Sequence, residues 1–268
     1  MITIKEIREK LAELKPAANI LNLDIETGKM IIEGATYSRK MYSPYLDSSW
    51  IKSPIWIVCA AWKWVGKPGV GSVSVLNDME RFKNNHRDDY HVVKILHALL
   101  SECDVLVGHN IDRFDLPQIE TRIIHYGLPQ LPPIKTFDTL KVARQKRFEA
   151  NDLRYLTRQL GFEDKGESPD WGLISDGDED EIRKCIGYNK QDVRITEALY
   201  LRLRSYAKTH PNLAIHRKGV MHKVCPRCDG DSIRPDKPFD TGNRIMRGYR
   251  CTDCHSYIKE SQFPKHMR

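Results

Sequence analysis

Long apolar runs are missing from this chain. No stretch of about 18 hydrophobic residues exists that could cross a bilayer, and Met1 to Lys15 is a charged amphipathic segment without the apolar stretch of a secretory leader. Membrane insertion and export are therefore not expected, and a cytoplasmic location is. Internal repeats and low-complexity tracts are also absent, which sets aside solenoid and disordered architectures. The seven cysteines are an odd number, and a chain without an export signal has little use for a disulfide framework. Three of them, Cys59, Cys103 and Cys185, are scattered and read as small core residues. Net charge is lacking too over residues 1 to 207, where 30 Lys/Arg meet 30 Asp/Glu. The whole excess of +7 falls in residues 208 to 268, with 13 Lys/Arg against 6 Asp/Glu. A basic appendage on a neutral body suits a polyanionic partner.

What is present is enough material for one ordinary core and a small second unit: 268 residues, 40% of them hydrophobic. Residues 4 to 14 read as a short helix. Ala18 to Glu26 reads as a strand with Leu21, Leu23 and Ile25 on one face, so that Asn22, Asp24 and Glu26 share the other. Strands at 30 to 36, 55 to 64 and 72 to 76 would complete an antiparallel meander, with 38 to 54 as an inserted loop. From residue 88 the pattern turns to alternation. Helices are expected over 88 to 101, 115 to 126 and 138 to 147, with strands at 104 to 108 and 135 to 138 between them, which implies parallel strands joined by crossover helices. A helix over 151 to 160 and a polar loop to about 177 follow. Asp178 and Glu181 then form a capping-box pair at the start of a helix over 179 to 207. The domain boundary is placed at 208 to 222.

Three acidic segments carry the chemistry: Asp24-x-Glu26 on the first strand, Asn110-x-x-x-Phe114-Asp115 at a strand-to-helix turn, and Tyr188-x-x-x-Asp192 on the long helix. Tyr188 and Asp192 are four residues apart and thus stacked on one helix face. An aspartate beside an apolar stripe is costly unless it is paired or metal-bound. In this order the motifs resemble the DEDD superfamily of 3′–5′ exonucleases with an RNase H-like fold, in its tyrosine subtype. The histidine subtype would need His five residues before the last Asp, where this chain has Gly187. The resemblance covers residues 18 to 207. Around Val107 to Arg122 it is similar to proofreading domains, and the layout as a whole is similar to exonucleases encoded by bacteriophages.

The resemblance implies two Mg²⁺ or Mn²⁺ ions, hard cations that favour carboxylate oxygen. Asp24, Glu26 and Asp192 would hold one beside the attacking water. Asp24, with Asp115 acting through water, would hold the other beside the leaving 3′ oxygen. Tyr188 would orient the water rather than take its proton, since a phenol is a poor base at neutral pH. Asn110 and Phe114 are candidate substrate contacts that could equally serve only the turn. His109 reads as a satisfied structural histidine, Asp138 as a helix N-cap and Asp112 as a plain turn residue.

The tail carries Cys225-Pro226-Arg227-Cys228 and Cys251-Thr252-Asp253-Cys254, two C-x2-C knuckles 22 residues apart. Such knuckles hold one structural Zn²⁺ tetrahedrally, with a hairpin looping around Pro235 to Gly242, and leave no open position for catalysis. Four thiolates on one zinc would lower the tail's charge by about two units. The segment 223 to 268 resembles zinc ribbons that contact nucleic acid. Arg244, Arg247, Tyr249 and Arg250 interleave charge and aromatic character as phosphate contact and base stacking require. The expected architecture is α/β: an RNase H-like mixed sheet flanked by helices over residues 1 to 207, a linker over 208 to 222 and the ribbon. The expected activity is hydrolysis from single-stranded 3′ ends, DNA favoured, with polymerase or other replication and repair proteins as further partners. An exoribonuclease using the same site, and a nucleic-acid-binding or recruitment protein using the fold only as a scaffold, are the alternatives.

Overall fold

The computed structural model describes residues 18–34, 47–162, 166–217 and 219–268. The helix expected over 4 to 14, and residues 38–46 of the expected loop, lie outside them. In chain order the strands are β1 (Ile20–Gly28), β2 (Ile31–Ile32), β3 (Ile51–Ser53), β4 (Trp56–Trp64), β5 (Gly71–Ser74), β6 (Val105–Gly108), β7 (Lys135–Asp138), β8 (Ile233–Asp240), β9 (Ile245–Cys251) and β10 (Tyr257–Lys259). The helices are α1 (Met79–Asn84), α2 (Tyr90–Ser101), α3 (Asp115–His125), α4 (Thr139–Lys146), α5 (Leu153–Leu160), α6 (Trp171–Asp176) and α7 (Glu179–Leu203).

The main sheet has the order β5-β4-β1-β6-β7. β1 pairs antiparallel with β4 and parallel with β6, so it is the central strand of the expected mixed sheet. With both of its edges occupied, β2 cannot join as the meander's second member. It pairs instead with β3 in a separate two-stranded sheet, so that β3 replaces part of the expected loop and the meander runs β1-β4-β5. Strand parity divides the core as a sheet buried on both faces requires. In β6, Leu106 packs with Leu21, Leu23, Val92, Leu96 and Ile119, while Val105 and Val107 pack with Phe137, Leu156, Leu199 and Tyr200.

Two helical features depart from the pattern reading. Residues 171–176, expected as loop, form α6, capped by Asp170, whose Oδ1 accepts from Gly172 N at 2.7 Å. Half of the capping box forms: Asp178 Oδ1 accepts from Glu181 N at 2.9 Å, but the Glu181 carboxylate accepts from Asp170 N at 3.1 Å. The reciprocal bond is lost because the tight α6–α7 corner has already given Asp178 N to Leu173 O. At its other end α7 stops at Leu203, four residues short of expectation, because Arg227 caps it from outside. Arg227, only 8% exposed, donates from Nη1 to the carbonyls of Arg204 and Ala207, both at 2.7 Å.

The chain after α7 stays packed. His210 stacks on Tyr200 at 5.9 Å, Leu213 joins the core beneath α7, and Ala214 joins the third cluster with Val224, Tyr249, Ile258 and Phe263. That cluster underlies a three-stranded sheet of order β10-β9-β8. The hairpin turn falls at Thr241 to Arg244, later than the expected loop, because residues 235–240 belong to β8. Arg227 thus joins the small C-terminal unit to the end of the long helix. Replacing it with Ala removes two charge-assisted bonds and leaves two carbonyls short of a donor. Arg227→Ala should lower unfolding free energy by about 1–3 kcal/mol, measured by urea denaturation of the full chain, whereas Arg234→Ala on the exposed face of β8 should change it by less than about 0.5 kcal/mol.

Candidate active site

β1 carries Asp24 and Glu26 at positions of equal parity. They lie on the side of the strand crossed by α7, where Asn22, 0% exposed, donates from Nδ2 to Val193 O at 2.6 Å. On α7 the buried residues Cys185, Asn189, Asp192, Val193 and Thr196 recur at three- and four-residue intervals, which turns one stripe onto the sheet. Asp24, Glu26 and Asp192 therefore converge, each with a carboxylate oxygen within 4.8 Å of the others. Tyr188, one turn before Asp192, meets the Trp171 ring edge to face at 6.5 Å.

Asp115 reaches the site by another route. β1–β6 pairing ends at Asn22, so the amide of Ile25 has no strand partner on that side; Asp115, at the start of α3, accepts it at 3.1 Å through Oδ1. It is thereby fixed between Asp24 and Glu26 along the strand, without belonging to the three-carboxylate group. Burial pushes its carboxyl up to about 7, with nearby Asp138 adding to the rise and the amides of Ile25 and Asp115 opposing it.

The turn that delivers Asp115 is tightly made. A Cβ on Gly108 would meet Ile111 at 2.7 Å, and Asn110 takes a left-handed backbone (φ 72°), a conformation asparagine tolerates better than most residues. Asn110 N donates to Asp138 Oδ1 at 3.0 Å, and the same oxygen caps α4 through Leu140 N at 2.9 Å. Asp138 is the N-cap its position suggested. His109 is satisfied on both ring nitrogens, by Thr139 Oγ1 at 2.9 Å and Asn151 O at 3.0 Å. Asp112 is more than a turn residue, since Lys141 Nζ reaches it at 2.6 Å. Phe114 precedes α3 with 37% of its surface exposed.

Pattern reading passed over Asn189 and Trp171. Asn189 sits three residues before Asp192 on the buried stripe, and that spacing was the available signal. Trp171 offered none, because a six-residue helix has too few turns to show a period.

The second cluster is formed by Cys225, Cys228, Cys251 and Cys254, whose sulfurs also lie within 4.8 Å of one another. The two knuckles are built alike. Cys225 N donates to Gly230 O at 2.8 Å and Cys251 N to Ser256 O at 3.0 Å, while Asp229 (φ 63°) and His255 (φ 61°) adopt left-handed backbone just after the second cysteine of each pair. Among the expected nucleic-acid contacts of this unit, Arg244 and Arg247 are exposed. Arg250 is tied to the Asp236 carboxylate and donates to His255 O at 3.0 Å. Tyr249 is not available for base stacking: it is buried against Phe263, ring centroids 5.3 Å apart, because β9 turns it inward.

Fold and carboxylate cluster together define a nuclease-type RNase H-like domain. Residues 69–204 match the family model RNase_H_2 of the RNase_H superfamily, and the chain belongs to that superfamily. Among solved structures it is similar to the family B DNA polymerase from the hyperthermophilic archaeon Pyrobaculum calidifontis, with 17% identity and a TM-score of 0.50. That similarity covers 70% of this chain and 25% of the polymerase, so the chain spans about a quarter of that protein. No curated protein matches the sequence. Among the described residues no helix is long and apolar enough to cross a membrane.

Asp115 gives the metal-free site a distinctive pH signature. Its carboxyl titrates near 7 when folded, against an ordinary value of 3.8, so between those values the native state holds a proton that the unfolded chain has released. Its contribution to stability is therefore fullest below about pH 4 and is lost as pH rises through 7, by an amount of order 4 kcal/mol. In EDTA, wild type should lose stability from pH 5 to pH 8 more steeply than Asp115→Asn, measured as Tm at each pH. Parallel curves for the two proteins would show that Asp115 is not the titrating group.

Proposed function

We propose that the chain is a metal-dependent 3′–5′ exonuclease of the tyrosine DEDD subtype, acting on single-stranded ends and releasing nucleoside 5′-monophosphates. The observation that carries this reading is the convergence of Asp24, Glu26 and Asp192 beside Tyr188 in an RNase H-like fold. Three hard oxygen donors within 4.8 Å of one another, two of them only partly buried, fit Mg²⁺ or Mn²⁺ and leave room for a phosphate. A pair of such ions, when bound, would supply a water of lowered pKa and a counter-charge for the leaving 3′ oxygen.

The protein's own side chains have distinct tasks in this reading. Asp24, Glu26 and Asp192, with carboxylate oxygens within 4.8 Å of one another, would hold one cation, and Asp24 would also serve the other. Asp115, held by the Ile25 amide, would support the second cation through water. Tyr188, steadied by Trp171, orients the nucleophilic water with its hydroxyl. Phe114 and Asn110, at the mouth of the β6–α3 turn, contact the terminal nucleotide. DNA is favoured over RNA in this reading, which draws support from the similar fold found in a DNA polymerase. Residues 1–207 form the catalytic unit. Residues 223–268 form a ribbon whose four sulfurs suit a structural Zn²⁺, a soft-ligand set closed to catalysis. In this reading the ribbon adds a basic surface for the strand, and replication or repair proteins are the natural associates of such an enzyme.

The discriminating assay uses 5′-labelled single-stranded DNA, matched RNA and duplex DNA, with Mg²⁺ or Mn²⁺. A ladder shortening from the 3′ end is expected with wild type, and Asp24→Ala should reduce its rate at least about a hundredfold. RNA degraded faster than DNA would assign the chain as an exoribonuclease; no product in any condition would favour the non-catalytic binding protein.

The ribbon's part in binding is tested separately. Arg244 and Arg247, both exposed, are expected to contact phosphates. Changing both to Ala in an Asp24→Ala background should reduce the salt slope of single-stranded DNA binding by up to about 1.4, taking about 0.7 per phosphate. An unchanged slope, measured by fluorescence anisotropy between low and moderate salt, would remove the hairpin from substrate handling.

A further inference from the structure

The geometry points to Asn189 as a positioning residue that fixes the Asp24 carboxylate for the catalytic cations. Asn189 is 0% exposed, on the α7 stripe one residue after Tyr188 and three before Asp192, and its Nδ2 donates to Asp24 Oδ2 at 2.6 Å. This inference rests on the nuclease reading above, and it adds a residue that the four-acid and tyrosine motifs do not contain.

The orientation of the amide follows from its partner. Turned the other way, Asn189 would set a carbonyl oxygen against a carboxylate, two acceptors in contact. With Nδ2 facing Asp24, the bond runs from an amide N–H to a carboxylate oxygen and is charge-assisted. It also removes a freedom. The terminal torsion of an aspartate is broad, and a carboxylate shared between two cation positions must hold one orientation. Asn189 pins one of its oxygens from the helix side. Orienting ligands in this way is the usual work of hydrogen-bond partners behind a metal site.

The bond has a cost that packing does not explain. Asn189 Oδ1 is buried with no hydrogen-bond partner among the described residues, so an apolar side chain of the same size would suit that space better. Asn22 provides the matched comparison. It too is 0% exposed with a buried, unpartnered Oδ1, and its Nδ2 also ties β1 to α7; its acceptor is the Val193 carbonyl rather than a carboxylate.

The test compares Asn189→Leu with Asn22→Leu in the full chain, using Mn²⁺ binding without nucleic acid, followed by electron paramagnetic resonance, alongside Tm. Asn189→Leu should weaken Mn²⁺ binding about 10- to 100-fold with Tm equal to or above wild type. In turnover assays the half-saturating Mn²⁺ concentration should rise while KM for single-stranded DNA at saturating Mn²⁺ stays unchanged. Asn22→Leu, which leaves the partner of the Asp24 carboxylate in place, should weaken the Mn²⁺ affinity of the folded protein at least about tenfold less than Asn189→Leu does. Should Asn189→Leu fail to fold, Asn189→Ala is read in its place, with the same loss expected. Wild-type Mn²⁺ affinity in the Asn189 variant would overturn the inference alone, as would an equal loss in both variants, which would mark a general loosening of α7. A wild-type protein that neither binds Mn²⁺ nor degrades any nucleic acid would overturn the nuclease reading and this inference together.

Discussion

The crossing of α7 over β1 is the contact on which the site depends. A central strand offers alternate side chains to its two faces, so Asp24 and Glu26 gain a common direction from parity alone. That direction becomes a site only when a helix supplies Asp192 to the same point. Two asparagines hold the crossing, Asn22 through the Val193 carbonyl and Asn189 through Asp24 itself. Apolar packing by Ile182, Val193 and Leu199 could hold the helix at many small displacements. The amide bonds are directional and select one. Along the helix, a shift of one residue would replace Asp192 by Gln191 or Val193, so register here has a chemical consequence.

A second constraint acts at the far end of the same helix. Arg227, inside the first cysteine knuckle, caps the carbonyls of Arg204 and Ala207. Burial in this position lowers the pKa of the guanidinium, because desolvation disfavours the charged form. Nevertheless, two carbonyl acceptors and the helix's negative end offset part of that cost. The knuckle lies about 18 Å along α7 from Asp192, twelve residues at 1.5 Å each. The C-terminal unit is therefore not a wall of the carboxylate site. Its docking limits fraying of the helix that carries Tyr188, Asn189 and Asp192, and any contact it makes is made at a distance from the three carboxylates.

Much of this was legible in the sequence because it depends on periodicity. The period of two in Leu21-Asn22-Leu23-Asp24-Ile25-Glu26 gave both the strand and the sharing of a face, and the spacing of four gave Tyr188 and Asp192. The cysteine spacing likewise announced the second cluster. Other features depend on which partner is already occupied, and pattern does not encode that. β2 left the meander because β1 had β4 and β6 beside it. The capping box halved because Leu173 O had taken Asp178 N. Tyr249, attractive beside three arginines, proved to face inward. Arg227 looked like one more basic residue in a basic tail, and only the fold turned it toward a helix end.

The placement of Asp115 shows why such a site is built from partly opposed forces. A carboxylate only 3% exposed is disfavoured as a charge, and its carboxyl accordingly stands near 7. The Ile25 amide offsets part of this, and that amide is available only because β1 and β6 part after Asn22. Continued pairing of the two strands would strengthen the sheet but remove the donor that fixes Asp115. The early end of the β1–β6 ladder is thus a local loss of sheet that creates a place for an acid. Cations in the adjacent carboxylate group would complete the offset, since positive charge nearby favours ionised Asp115. The same burial would strengthen the attraction of Asp115 to cations bound there, because little water intervenes.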